Sequence, residues 1–398
     1  MRRALARALL AAQAPFAGVW AYLLALLAAA WPRGAHALGT AGGEPRVAVL
    51  VPAHDEGAGV RATVASLLAL DWPADRLDVV VIADNCSDET AAHAAAAGAR
   101  VLERDEPDRP GKGRALAWAL QRLGDGDPPP DAVVVVDADC TATPNLVRAF
   151  AARWGDGVRA VQSRYLVANA DASPLTAARA AAFALAADVR SLGKDRLGLS
   201  CGLLGTGMGF TWALLREHPW DAYGLAEDVE HHLALVLAGE RVRFVDEAAV
   251  LSDMPTSAGG SAGQQSRWEA GKAALVRRWT PRLVAAGLRD RDPVRVHAGL
   301  ELLVPPQSLL AGATVAGGGA ALALGNRIPP APRRLACAMA LAQVAFVAGG
   351  MRRAGAPRAA WRGLALAPAL VVRKGILYLR IVAGRGPREW VRTERNAV

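Results

Sequence analysis

Two aspartates directly follow the most apolar stretch of the chain. Residues 132–144 read AVVVVDADCTATP, so Asp137 and Asp139 come after four consecutive valines. Side chains of a strand alternate between its faces, so residues two apart project to the same side. Neighbouring carboxylates repel each other unless a cation joins them, and Mg²⁺ or Mn²⁺ suits carboxylate oxygens. The pair therefore predicts a site for Mg²⁺ or Mn²⁺ that also binds substrate phosphates, and the alternative is an ordinary acidic turn.

The surrounding residues alternate between apolar strands and helices joined by short connections. Strands are predicted in RVAVLVPAHDE, LDVVVIADNCSDET, RVLER and DAVVVVDADC, and helices in GVRATVASLLAL, ETAAHAAAAGA and GKGRALAWALQRL. The pattern predicts an α/β domain over residues 46–255, with a Rossmann-like, mostly parallel sheet covered on both faces. Ligands bind such sheets at the carboxyl ends of the strands. Polar residues gather at these predicted ends, namely His54, Asp55, Glu56, Asp84, Asn85, Asp137 and Asp139.

Composition narrows the class of protein. The chain has 398 residues, a formal net charge of +9 and 53% apolar residues. A basic chain could bind nucleic acid or anionic lipid, but its arginines cluster beside apolar segments, which favours lipid headgroups. There is no zinc-finger spacing, and none of the four cysteines forms a CxxC pair, so neither a zinc site nor a redox motif is indicated. We expect membrane lipid and no nucleic acid among its partners.

Apolar segments flank the α/β domain. Residues 11–31 are about one bilayer crossing long, with a cleaved signal peptide as the alternative. Residues 298–325 predict a span broken by Pro305 and Pro306, and residues 335–350 a second, shorter one. Residues 363–382 contain too few apolar residues for a crossing and read as interfacial. The predicted divisions are an anchor and linker (1–45), the α/β domain (46–255), an interfacial segment (256–297), two transmembrane helices (298–350), and an interfacial helix with a basic tail (351–398).

The arginines predict an orientation in the membrane. Residues 256–297 and the tail are both Arg-rich, which places both in the cytoplasm by the positive-inside rule. Arg2, Arg3 and Arg7 disagree, because they would lie outside if the first helix spans the membrane. The larger C-terminal bias predicts a multi-pass protein of the cytoplasmic (inner) membrane, with the α/β domain facing the cytoplasm.

A set of motifs occurs in a fixed order along residues 46–290. They are VPAHDE, ADNCSDET, RPGKGRALAWAL, VVVVDADC, LLGTGMGF, LAEDVEHHLALVLAGERVRFVDEA and QQSRW. Together they resemble glycosyltransferase family 2, whose members are inverting enzymes of the GT-A fold. The processive membrane branch is closest, namely the cellulose, chitin, hyaluronan and poly-N-acetylglucosamine synthases. The resemblance implies a nucleotide-sugar donor, UDP-linked by expectation, and a glycan or lipid-linked acceptor.

The resemblance gives several residues a role at the nucleotide. Pro52, Ala53, His54 and Glu56 would form the loop that holds the base, and Asp84 would contact the uracil or ribose. Asn85 stands where the family often has a second acid. The basic residues at "GKGR", Lys112 or Arg114, could offset diphosphate charge. Asp139 is expected to bind the metal directly, and Asp137 to contact the nucleotide or the metal.

Other residues are expected at the donor sugar, the acceptor and the reacting hydroxyl. The resemblance makes Asp228 the catalytic base, because inversion needs a base on the face opposite the leaving diphosphate. Glu227 and Asp228 also begin a helix, where acids suit the helix dipole for structural reasons alone. The residues predicted to bind donor or acceptor are Gly205, Thr206, Gly207, Glu227, Gln264, Arg267 and Trp268. The last three form the Gln-x-x-Arg-Trp signature, and their alternative is an interfacial helix anchored by Trp268.

These features predict an inverting, metal-dependent glycosyltransferase that extends a β-linked glycan at the membrane. Two alternatives stay open within and outside that class. The first is single transfer to a polyprenyl-phosphate or glycolipid, since the few predicted spans leave little room for a secretion channel. A polymer-forming enzyme with so few spans could need a partner protein for export. The second is a non-catalytic, nucleotide-sugar-binding scaffold of a polysaccharide complex.

Overall fold

The computed structural model describes residues 2–31, 43–126 and 128–382, except for the side chains of residues 258–268, 381 and 382. Its strands are β1 (Val47–Ala53), β2 (Leu77–Asp84), β3 (Arg100–Arg104), β4 (Ala132–Val135), β5 (Cys140–Ala142), β6 (Ala160–Val167), β7 (Met208–Thr211) and β8 (Val242–Ser252). Its α-helices are α1 (Arg2–Ala30), α2 (Val60–Leu68), α3 (Thr90–Ala96), α4 (Lys112–Gly124), α5 (Leu146–Gly155), α6 (Pro174–Phe183), α7 (Arg190–Arg196), α8 (Trp212–Glu217), α9 (Glu227–Ala238), α10 (Ala258–Asp290), α11 (Pro293–Glu301), α12 (Gln307–Leu324), α13 (Ala331–Ala354), α14 (Arg358–Gly363) and α15 (Ala367–Val382).

All eight strands form one sheet in the order β3-β2-β1-β4-β7-β6-β8-β5. Strands β1 to β4 are mutually parallel where they pair, and β6 is parallel to β8. Only β7, against β4 and β6, and β5, against β8, run antiparallel. The predicted Rossmann-like, mostly parallel sheet is therefore confirmed.

The central strands are buried on both faces, as their continuous apolar sequences require. Along β1, Ala48 and Leu50 face one buried cluster, whereas Val47, Val49 and Val51 face another. The alternation follows from the two-residue repeat of a strand. Because neither face meets water, polar side chains of these strands can reach solvent only at the strand ends.

Two strand ends differ from the sequence prediction. β1 continues through Ala53, so Pro52 and Ala53 pair with Ile82 and Ala83 of β2 and are not loop residues. β4 ends at Val135, so Asp137 and Asp139 lie beyond the strand. Strand alternation therefore does not explain their convergence. The two aspartates are brought together by a tight turn, in which the amide of Cys140 donates to the carbonyl oxygen of Asp137 over 3.1 Å.

Among the residues that the structure describes, three helices are long and apolar enough to cross a membrane: Arg2–Ala30, Gln307–Arg327 and Ala331–Ala354. Large apolar side chains on the last two are exposed, namely Val315, Leu322, Leu341 and Val344. Such surfaces mark contact with a membrane or with another protein. The chain therefore has the character of a membrane-associated protein.

The two C-terminal candidate spans begin and end at other residues than predicted. The break at Pro305 and Pro306 separates two different helices, so residues 298–301 belong to α11 and not to a span. Val294, Ala298 and Leu302 instead pack in a buried cluster with Leu233 of α9 and Trp279 of α10. The second span is longer than residues 335–350. Its helix has 24 residues, about 36 Å, which is sufficient to cross the hydrocarbon core.

The N-terminal helix is packed into the protein. Leu23 and Leu27 of α1 lie in the same buried cluster as Leu50 of β1. A Cβ on Gly193 of α7 would approach the carbonyl oxygen of Leu26 to 2.3 Å, so the two helix backbones are in close contact. Helix α1 is therefore part of the folded body, whether or not it also anchors the chain.

Candidate active site

The ends of β1 and β2 are joined by hydrogen bonds. Nδ1 of His54 lies 2.7 Å from the carbonyl oxygen of Asp84. The hydroxyl of Thr90 accepts hydrogen bonds from the amides of Glu56 and Gly57, both over 2.8 Å. These contacts bring the residues predicted at the nucleotide base, from Pro52 to Asp84, to one edge of the sheet.

Asp84 has a partner that sequence reasoning missed. The guanidinium of Arg104 donates to the Asp84 carboxylate over 2.5 Å, and the side chains are 2% and 8% exposed. Asp84 and Arg104 are direct partners in the β2–β3 register, so the predicted strand RVLER carried this signal. Asn85, which departs from the family pattern, adopts a φ of 50° and accepts a hydrogen bond from the amide of Glu106 over 2.6 Å.

Lys112 lies at the centre of the site. Its amino group donates to Asp137 over 2.5 Å and to the carbonyl oxygen of Gly205 over 2.6 Å, and it lies 3.9 Å from Glu227. Burial alone would lower the pKa of Lys112, but Asp137 and Glu227 raise it above its ordinary value. Arg114, the other predicted cation, instead lies over the ring of Tyr223 at 5.1 Å.

The predicted metal site gathers three possible ligands. Atoms of Asp137, Asp139 and Cys140 lie within 4.8 Å of one another. Cys140 offers a soft sulfur, which is a poor ligand for a hard cation such as Mg²⁺, and burial raises the pKa of its thiol well above its usual range. The two carboxylates remain, and they match the way Mg²⁺ is usually held, by one or two carboxylates together with substrate phosphates.

The loop containing Gly205, Thr206 and Gly207 is held in place by the buried side-chain amide of Gln162. The side chain of Gln162 donates to the carbonyl oxygen of Thr206 over 2.8 Å and accepts from the amide of Leu204 over 2.9 Å. The hydroxyl of Thr206 accepts from the amide of Asp137 over 3.1 Å. Sequence reasoning missed Gln162, although a glutamine inside an apolar strand was a visible signal.

Asp228 approaches the same loop from α9. A Cβ on Gly205, whose φ is 85°, would lie 3.4 Å from the Asp228 carboxylate and 3.6 Å from the Lys112 amino group. Burial raises the pKa of Asp228, and Lys112 lowers it in part. Burial and Asp228 together raise the pKa of Glu227 to about 7. The structure thus brings Lys112, Asp137, Gly205, Glu227 and Asp228 together.

The Gln-x-x-Arg-Trp residues lie on α10, but the side chains of Gln264, Arg267 and Trp268 are outside the described part of the chain. The backbone of α10 reaches the site nonetheless. A Cβ on Gly271, three residues after Trp268, would lie 2.9 Å from Cβ of Ala226. Ala226 directly precedes Glu227, so this part of α10 contacts the start of the helix that carries Asp228.

The sequence belongs to a known family of enzymes. Residues 45–271, more than half of the chain, match the family described as "Glycosyltransferase like family 2". The chain is therefore a member of glycosyltransferase family 2, as its motifs predict.

Known proteins resemble the chain over different lengths. "Probable glycosyltransferase YdaM" of Bacillus subtilis (strain 168) is 27% identical, over 58% of this chain and 56% of that protein. The chain thus spans about half of this relative. "Cellulose synthase 1 catalytic subunit (UDP-forming)" of Komagataeibacter xylinus is 33% identical, over 24% of this chain and 12% of that protein. The solved mannosyltransferase PcManGT of Pyrobaculum calidifontis, in complex with GDP-Man and Mn²⁺, is 21% identical with a TM-score of 0.55, over 89% of this chain and 99% of that one. This similarity confirms the GT-A fold.

Proposed function

We propose that the protein is an inverting, metal-dependent glycosyltransferase that moves a sugar from a nucleotide-sugar to a growing β-linked glycan at the membrane. The observation that carries the proposal is the grouping around Lys112. Its amino group bonds both Asp137, a member of the candidate metal site, and the carbonyl oxygen of Gly205, which lies near Asp228. A leaving-group site at Asp137 and Asp139 and a base at the start of α9 would then lie on either side of Lys112, as displacement with inversion requires.

The donor would bind along the ends of β1, β2 and β4. Pro52, Ala53, His54 and Glu56 would surround the base, and Asp84, oriented by Arg104, would accept its hydrogen bonds. Asp137 and Asp139 would hold Mg²⁺ or Mn²⁺, which neutralises charge developing on the leaving diphosphate. The mannosyltransferase of similar fold is described with Mn²⁺, which supports this choice of ion.

Transfer itself would need one base. Asp228 takes the proton of the acceptor hydroxyl while that oxygen attacks the anomeric carbon. The bond from this carbon to the diphosphate breaks on the opposite face, and the electron pair leaves with the nucleoside diphosphate. Lys112 would stabilise that charge. An α-linked donor then gives a β-linked product without an enzyme-bound intermediate.

The acceptor would be held on the other side of the donor sugar. Gly205, Thr206 and Gly207 would allow close approach of the backbone, and Glu227 would bind a sugar hydroxyl. Gln264, Arg267 and Trp268 would supply a hydrogen bond, a charge for the diphosphate and a stacking face. The match to a UDP-forming cellulose synthase subunit supports a UDP-linked donor and a glycan product.

A product assay on membranes that carry the protein tests the proposal. Radiolabelled UDP- and GDP-sugars are supplied with Mn²⁺ or Mg²⁺, and the products are separated by size. A ladder of polymer from one donor is expected. If no donor is used and Asp228→Asn membranes behave like wild type, the scaffold alternative replaces the enzyme.

A second acceptor class is favoured by the small number of spans. The described residues contain three candidate spans, few for a secretion channel, so a glycan would need a separate export partner. One sugar added to a lipid that extracts into organic solvent would identify a polyprenyl-phosphate or glycolipid acceptor instead.

We place the catalytic domain on the cytoplasmic side of the inner membrane in either case, because nucleotide-sugar donors must reach it.

A further inference from the structure

An apolar cavity lies between the N-terminal helix and the corner where α10 meets α11. Its volume is about 770 Å³, which falls in the range of ligand pockets. Gly18 and Tyr22 of α1 form one wall, and Leu288 and Leu300 form part of the other. The cavity is separate from the residues grouped around Lys112.

The cavity is lined by large apolar side chains that remain exposed. Leu288 and Leu300 are 68% and 49% exposed, and the nearby Leu303 is 55% exposed. Exposed apolar groups that cluster on one surface mark a site of contact with an apolar partner. Since α1 is itself a candidate span, the apolar partner available at this surface is the hydrocarbon chain of a membrane lipid.

The two carboxylates that line the cavity, Asp292 and Glu301, both have hydrogen-bond donors within the protein. Glu301 accepts hydrogen bonds from Tyr22 over 2.7 Å and from Arg190 over 2.5 Å. Asp292 caps α11 by accepting from the amide of Val294 over 2.8 Å. Both lining carboxylates are therefore held by protein groups.

Arg291 also lines the cavity, and it has no ion pair with any side chain that the structure describes. It is exposed and adopts a φ of 55° at the corner between the two helices. A free guanidinium beside an apolar cavity favours a ligand with an anionic head and a hydrocarbon chain.

We propose that this cavity binds one anionic phospholipid, with a chain between α1 and the α10–α11 corner and the phosphate on Arg291. The site does not depend on which sugar or acceptor the enzyme uses. Lipid retention can therefore be measured without any assay of sugar transfer.

The test uses the purified full chain in detergent micelles. Phosphatidylglycerol and phosphatidylcholine with the same acyl chains are added in equal amounts, and native mass spectrometry measures the lipid retained. Wild type is expected to retain one phosphatidylglycerol in preference to phosphatidylcholine. Arg291→Gln should weaken retention of phosphatidylglycerol about fivefold, since one basic side chain near a membrane contributes about 1 kcal/mol.

Two pairs of variants give matched controls. Arg289→Gln removes the same charge two residues away, from a side chain that pairs with Asp290 and does not line the cavity, and it should retain phosphatidylglycerol. Gly18→Leu fills the cavity, because a Cβ there meets nothing within 4 Å, and it should lose both lipids. Gly319→Leu adds the same side chain at an equally open position on α12 and should behave as wild type.

Several results would overturn the proposal. Equal retention of the two lipids, or equal loss in Arg289→Gln and Arg291→Gln, would mean that Arg291 is not a headgroup site. Retention in Gly18→Leu would place the chain elsewhere, and Leu300→Trp repeats this test on the opposite wall if Gly18→Leu does not fold. Displacement of phosphatidylglycerol by millimolar inorganic phosphate would indicate a small-anion site without a lipid chain.

Discussion

The amino group of Lys112 contacts Asp137 and Gly205, and it lies 3.9 Å from Glu227. Three carboxylates, those of Asp137, Glu227 and Asp228, share the influence of this one cation. Because the Lys112 charge lowers the pKa of Asp228, the lysine would keep the proposed base ionised as well as stabilise the leaving diphosphate. The two roles can be separated by measuring the pH dependence of transfer.

Replacement of Lys112 should move the acid limb of the activity profile. Asp228 acts as a base only when ionised, and burial already raises its pKa. Loss of the cation in Lys112→Gln raises that pKa further, so the acid limb of kcat/KM should shift to higher pH while activity falls. Arg114→Gln is the control, because Arg114 lies over Tyr223 and is not among the groups that shift the pKa of Asp228. An unshifted acid limb in Lys112→Gln would show that Lys112 does not act on the base.

Asp228→Asn should abolish base catalysis and leave donor binding intact. General-base groups typically contribute about 10²- to 10⁴-fold, so transfer should fall by that order. Calorimetry should find unchanged affinity for the nucleoside diphosphate, since Asp228 would contact the acceptor and not the diphosphate. Asp156→Asn makes the same change at an exposed position after α5 and should retain full activity. Normal transfer by Asp228→Asn would remove Asp228 from the mechanism.

At the scale of elements, the start of α4 positions Lys112 through a close contact of backbones. A Cβ on Gly113 would lie 2.0 Å from the carbonyl oxygen of Ala222, so only glycine allows α4 to approach the segment that leads into α9. The contact shows that Gly113 is required for packing that brings Lys112 towards Glu227.

Gly113→Ala should therefore destabilise the protein, contrary to the usual effect of this substitution in a helix. An open helical Gly→Ala change stabilises by roughly 0.5–1 kcal/mol, whereas overpacking costs about 1–3 kcal/mol. We expect a lower melting temperature and weaker donor binding for Gly113→Ala. Gly59→Ala, where a Cβ meets nothing within 4 Å, should not lower the melting temperature. A more stable Gly113→Ala protein would contradict the contact.

The elements that sequence predicted were those with an unambiguous local signal. The apolar runs of β1, β2 and β4 predicted strands buried on both faces, and the helices that alternate with them predicted parallel pairing. The reversal of β7 carried no such signal, because it depends on pairing with β4 and β6. Arg104 and Gln162 were missed because their partners are distant in sequence, on β2 for Arg104 and in the loop before β7 for Gln162. Pro305 and Pro306 correctly predicted a break between helices. They did not predict that α11, the helix before the break, packs on α9.

At the scale of the whole molecule, α1 and α13 meet the catalytic domain at a shared point. The carbonyl oxygen of Ala30 accepts hydrogen bonds from two guanidinium groups. One belongs to Arg196, the last residue of α7, and the other to Arg353 of α13. This caps the last turn of α1, where carbonyl groups lack helical partners. The candidate spans and the catalytic domain are thus joined by buried contacts as well as by the chain.

Removal of α1 should destabilise the catalytic domain and not merely release it from the membrane. A fragment of residues 44–398 loses Leu23 and Leu27, which lie in the cluster that contains Leu50 of β1. Burial of two leucines contributes about 3–6 kcal/mol, and the close contact of Leu26 with Gly193 is lost as well. We expect a lower melting temperature and loss of nucleotide binding in detergent. A fragment of residues 10–398 keeps these contacts and is the control. If the 44–398 fragment melts and binds nucleotide like the control, α1 serves only as an anchor.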